Sequence, residues 1–266
     1  MRGAAICAVM LVAGVVCAGS DDTNRLTSLS VEQAQGLARR TGGLSFASLR
    51  TLSVAAAKEL VTHEGALALD GLAELPADLA AVLARHRGTL SLGGLRTVPE
   101  DVAVTLAEHP GMLYLTGVTS LSDPAAEALA RHKEAVFFGE VAPLSAAAAR
   151  ALGRRPGILD LDGLTSLEPA AAEALAAHEG TLMLDGLVEL PVEVARPLAR
   201  HRGPLHLGGV RVLSDEAAQA LAGHAGTVLL DGLTTVSAAA LEALAANADI
   251  KLPRGIERKL PARRGP

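Results

Sequence analysis

Residues 21–250 divide into ten consecutive blocks of 23 residues with no insertion or deletion. A chain that repeats in strict register at so short a period cannot be assembled from unlike elements. Each block must be one supersecondary unit that buries its apolar face only against its neighbours. A full repeat reads L-x-L-x-G-L-x-x-L-(S/P)-x-x-x-A-x-x-L-A-x-H-x-G-x, as in Leu67–Thr89 and Leu182–Pro204, and Leu159–Thr181 departs from it only at position 10, Glu168. Composition points the same way. With three Phe, one Tyr and no Trp, the chain lacks the bulky wedges an irregular core needs, whereas identical small layers can close with aliphatic residues alone.

Within a repeat the spacing assigns each position a task. Leucines at positions 1 and 3, such as Leu67 and Leu69 or Leu182 and Leu184, predict a short strand with both side chains inward and positions 2 and 4 outward. Glycine at position 5 (Gly71, Gly94, Gly186) predicts a turn closed to residues with a Cβ. Leu or Val at positions 6 and 9 returns to the core. Position 10 is Ser or Pro in nine repeats, from Ser30 to Ser237. Ser there predicts a helix cap and Pro a first-turn residue, and Ser30 with Gln33 forms a capping-box pattern. The helix then buries Ala at position 14 and Leu-Ala at 17 and 18, and is expected to stop at the glycine of position 22.

One strand, one turn and one helix per repeat predict an α/β solenoid, with parallel strands on one face and short helices on the other. The pattern resembles the leucine-rich repeat family, and most nearly its cysteine-containing subclass. That subclass pattern can be laid on Leu205, His206 and Leu207, then Val210, Leu213, Ser214, Asp215, Ala218, Leu221 and Ala222. Together with the N-terminal signal described below, the chain is similar to bacterial secreted proteins of this type. The family's Asn or Cys after the strand is here Leu or Val, so the side-chain ladder that satisfies turn amides in the family is expected to be missing. The right-handed parallel crossover is expected on general chirality.

A second level of order spans five repeats. Leu67–Thr89 and Leu182–Pro204 share 15 of 23 residues, and Arg39-Arg40-Thr41-Gly42 recurs as Arg154-Arg155-Pro156-Gly157. The array therefore reads as a duplicated block, residues 21–135 and 136–250. The sixth repeat carries Glu140 for glycine and Arg155 for histidine, as the first carries Arg40. It reads as a former end cap enclosed within the array, with a kink expected between the two blocks.

The apolar run from Gly3 to Ala18 after Arg2, ending Val16-Cys17-Ala18, predicts a signal peptide over residues 1–20, and Val16 speaks against lipid attachment at Cys17. Both cysteines, Cys7 and Cys17, lie within it, so disulfides, thiolate metal sites and a cysteine nucleophile are not expected in the mature chain. The expected location is secreted, periplasmic or cell-surface, with no membrane span after signal removal. The net charge of −5 divides unevenly: residues 21–250 carry 17 basic and 28 acidic side chains, and the tail 251–266 carries six basic residues against Glu257. An acidic body excludes nucleic acid as the main partner.

Two columns hold candidate chemistry. Position 20 is histidine in seven repeats: His63, His86, His109, His132, His178, His201 and His224. A metal-binding or pH-responsive ladder is one reading. A structural one, each ring serving carbonyls at a helix end, follows from copying a scaffold. The outward strand positions vary where the scaffold is fixed, and there Tyr114, Phe137, Asp160, Asp162, Met183, Asp185 and His206 form the candidate binding surface, with Tyr114 and Phe137 expected to be exposed. No phosphate loop, His-Glu-x-x-His or Gly-x-Ser-x-Gly motif is present, so no catalytic residue, metal site or cofactor is expected. The reading is a non-enzymatic scaffold for an unknown protein or cell-envelope component. The alternative is a self-associating surface protein whose basic tail docks on acidic bodies.

Overall fold

The structure, a computed structural model, describes residues 22–139 and 141–258. The expected signal peptide, tail residues 259–266 and Glu140 lie outside the described residues. The fold is α/β. Short strands β1 (Leu44–Ser45), β2 (Leu67–Ala68), β3 (Leu90–Ser91), β4 (Leu113–Leu115), β5 (Val136–Phe138), β6 (Ile158–Asp160), β7 (Thr181–Met183), β8 (Leu205–His206), β9 (Val228–Leu229) and β10 (Ile250–Lys251) alternate with helices of seven or eight residues, and a four-residue helix, Arg254–Glu257, follows β10.

The chain folds as two compact units. One runs up to Val118 and takes in His132–Phe137; the other comprises Thr119–Arg131 and the chain from Phe138 onward. In the first, β1 to β4 pair in parallel, Leu44 opposite Leu67, Leu67 opposite Leu90 and Leu90 opposite Leu113. In the second, β6 to β10 do the same, Leu159 opposite Leu182, Leu182 opposite Leu205 and Leu205 opposite Val228. Each is a leucine-rich-repeat-like stack.

The strand leucines Leu67, Leu69, Leu90, Leu92, Leu182 and Leu184 are fully buried, as are Ala80 and Leu83, Ala103 and Leu106, and Ala195 and Leu198 from the helices. Each layer meets the next through identical shapes, so aliphatic side chains fill the core. The turn after the strand is closed by one recurring bond, the amide of position 6 to the carbonyl of position 3, as from Leu72 to Leu69 at 3.1 Å and from Leu187 to Leu184 at 3.1 Å.

Three local expectations are corrected. The position-5 glycines do not adopt positive φ; the two positive-φ glycines among the described residues are Gly42 and Gly157. Close approach requires glycine instead, since a Cβ on Gly71 would sit 2.4 Å from the Leu49 carbonyl oxygen and 2.5 Å from its nitrogen. The helices stop at position 17 in most repeats (Leu60, Leu83, Leu106), not at the position-22 glycine. That glycine lies in the return turn, where a Cβ on Gly88 would meet the Gly65 carbonyl oxygen at 2.3 Å. Pro76, Pro99 and Pro191 occupy the cap position itself rather than the first turn, while Ser30 and Gln33 form the expected capping box.

Gly42 and Gly157 share φ of 88° and 82° and have nothing within 4 Å of a built Cβ. Among the described residues, the first and sixth repeats thus share a return turn that the others lack.

Candidate functional site

The histidine column is buried, each ring at most 3% exposed. Its carbonyl partners belong to the preceding repeat. Nε2 of His63 lies 2.7 Å from the Gly42 oxygen, that of His86 3.0 Å from Gly65, that of His132 3.1 Å from Gly111, that of His178 3.2 Å from Gly157 and that of His224 3.0 Å from Gly203. Nδ1 of His63, His132 and His178 also faces the last turn of the preceding helix, at Ala38, Ala107 and Gly153. The rings therefore staple one repeat's helix end to the next, supplying donors to carbonyls that a helix terminus leaves open. Arg155 and Asn247 occupy the same position and do the same: Arg155 donates to the Leu129 carbonyl at 2.8 Å, and Asn247 Nδ2 to Ala222 at 3.0 Å and His224 at 2.9 Å.

Consecutive rings stack, with centroids 6.2 Å apart for His86–His109 and His109–His132, and 5.8 and 6.0 Å for His178–His201 and His201–His224. Burial holds His109 down to about 4, with the neighbouring His86 adding to the effect and the Ala84 and Gly88 carbonyls opposing it. Burial lowers His86 and His201 as well. A neutral imidazole can donate from one nitrogen only, and His63, His132 and His178 each face two carbonyls. The hydrogen-bonded nitrogens of His63, His86, His132, His178 and His224 are committed to backbone oxygens, and among the described residues no three His, Cys, Asp or Glu side chains converge on one point.

Position 4 carries the ladder expected to be missing. Asn24 Oδ1 accepts from the Ala47 amide at 3.2 Å, Asp70 Oδ1 from Gly93 at 2.8 Å, Asp162 Oδ1 from Asp185 at 2.9 Å and Asp185 Oδ1 from Gly208 at 2.6 Å. Each bond links equivalent positions of adjacent repeats. The acceptor has moved from the turn to the strand end, where the next repeat's amide emerges. Gly93 and Gly208 leave room for it, a Cβ there lying 3.0 Å from the carboxylate oxygen.

The strand face of the first unit holds Tyr114 and Phe137, stacked at 4.3 Å between centroids. The expectation that Tyr114 is exposed is corrected: it is 1% exposed, while Phe137 is half-buried. Outward side chains on parallel strands less than 5 Å apart lie side by side, and a tyrosine next to a phenylalanine is covered by it. On the second unit, strand pairing sets Asp160 beside Met183, and Met183 beside His206. Asp160 is buried, accepting from the Asp162 amide at 3.0 Å, while Asp162, Met183, Asp185 and His206 are half-buried. Burial, then the Asp160 carboxylate, pushes Asp162 up to about 7; burial raises Asp160, and the nearby His206 opposes this.

The fold is similar to that of an internalin. That crystal structure, from Listeria monocytogenes, aligns with 85% of this chain at a TM-score of 0.42 and 14% identity, and the chain spans 64% of its length. No family model matches the sequence, and no curated protein matches it. The fold assignment rests on the strand order and register above. Among the described residues no helix is long and apolar enough to cross a membrane.

Sequence reasoning missed the position-4 ladder, although the recurrence of Asn or Asp in that column was the signal for it. It also missed that Arg155 and Asn247 serve as histidine equivalents, which their shared position would have shown.

Proposed function

We propose that the chain is a non-enzymatic binding scaffold, secreted or held at the cell surface, that recognises a protein or an envelope component through its strand face. One observation carries this reading. The columns that build the repeat are constant and buried, whereas strand position 2 changes from one repeat to the next and, on the second unit, leaves Met183, His206 and Leu229 half-exposed. Asp162 and Asp185 border that row, each with one oxygen committed to the ladder. A row of unlike side chains on a rigid sheet is how repeat scaffolds distinguish partners.

The test is capture by the immobilised mature chain from the extracellular fraction of its native organism, compared with a Met183→Arg, His206→Glu variant and a helix-side control, Gln219→Glu. A specific partner retained by the wild type and the control, and lost from the strand-face variant, supports the reading. Equal retention by all three, with unchanged circular dichroism, refutes it.

A further inference from the structure

In the second unit, position 19 of one repeat meets position 15 of the repeat before it, where Arg200 forms an ion pair with Glu173. One repeat earlier the same two positions are Ala177 and Arg150. There the cation stands at position 15, in the place of the carboxylate, and the position-19 residue that would face it is alanine, so among the described residues Arg150 has no partner across the repeats. A groove of about 770 Å³ opens at this place, between the helices Ala146–Gly153 and Pro169–Leu175. Arg150 and Arg154 line one wall, Gly153, Ala174 and Ala177 supply a small apolar floor, and two carboxylates line it as well, Glu179 and Glu173, the latter paired with Arg200. Both arginines are exposed, and among the described residues no carboxylate pairs with either. Arg155, buried beside them, is committed to the Leu129 carbonyl. The sixth repeat is where the cap-like sequence places arginine at positions 15, 19 and 20 together, in a body whose net charge is negative.

We propose that this groove binds a short acidic peptide segment of a partner protein, its carboxylates paired with Arg150 and Arg154 and its backbone lying over the alanine floor. The volume falls within the range of ligand sites, about 300–1,000 Å³, which is too large for a single ion and suits a few extended residues. Guanidinium forks match carboxylates in paired geometry, and the Arg200–Glu173 pair shows that the same neighbouring positions bring such groups together. The site is on the helix side, so it stands or falls separately from the strand-face reading.

The experiment is fluorescence anisotropy of a labelled Gly-Glu-Glu-Ala-Glu-Gly peptide with the full mature chain, its Arg150→Gln, Arg154→Gln variant, and Arg196→Gln as a control arginine on the adjacent helix. Saturable binding that weakens at least about tenfold in the double variant and is unchanged in the control is the expected result, since lost charge pairs act chiefly on affinity at the site. Absence of binding, equal binding by the double variant, or equal loss in the control overturns the proposal. Displacement by inorganic phosphate or a sulfated oligosaccharide at matched charge overturns the assignment to peptide. Both substituted arginines are exposed, and a thermal melt of each variant verifies folding.

Discussion

Replacing His109 with asparagine turns the buried histidine column into a measurable stability term. His109 lies in a stack of rings and titrates near 4 in the folded chain, against an ordinary 6.5. Between those values the unfolded chain binds a proton that the native chain does not, so stability is lost as pH falls through the window and regained as it rises. At about 1.4 kcal/mol per unit, the ceiling for this one ring is about 3 kcal/mol. Asp162 acts in the opposite sense. Its carboxyl is raised to about 7 from 3.8, so the native chain holds the extra proton there and gains stability on acidification. The wild-type profile therefore mixes both signs, and the difference between wild type and His109→Asn isolates the imidazole. Asparagine is the replacement the chain itself uses, at Asn247. Urea unfolding near pH 7.5 should show a cost of about 2 kcal/mol from lost ring packing. Near pH 4 that cost should disappear or reverse, because the variant has no proton to exclude. An equal cost at both pH values refutes the reasoning.

Asp70→Ala leaves the Gly93 amide and the Ser91 hydroxyl without their acceptor, which lies 2.8 and 2.6 Å away. Chemical denaturation should register a loss of about 2 kcal/mol, the scale of bonds to a charged group, with Asp70→Asn retaining more than half. Gly71→Ala and Gly36→Ala should move the melting temperature in opposite directions. A Cβ on Gly71 meets backbone at 2.4 Å, whereas Gly36, inside the helix Val31–Ala38, has nothing within 4 Å. The first should cost about 3 kcal/mol by overpacking and the second should add about 0.5–1 kcal/mol by helix propensity; movement in the same direction contradicts the close-approach account.

The repeat length, the α/β alternation, the inward leucines and the helix starts at position 10 were all legible in the sequence. They depend on local periodicity and on single-residue caps, which act within one repeat. The partners of each column were not legible, because they lie one repeat away. Glycine at position 5 reads equally as a positive-φ turn or as a close contact, and only the Leu49 backbone beside Gly71 decides between them. His63 reads as serving its own helix end until the Gly42 and Ala38 carbonyls are found on either side of its ring. Asp70 and Asp185 read as surface charge until the amides of Gly93 and Gly208 are seen to meet them. Tyr114 reads as exposed because alternation gives the direction of a side chain and not what stands beside it. The sequence by itself determined what one repeat is; stacking decided what each side chain touches, since the contacts that satisfy the histidine and position-4 columns cross from one copy to the next.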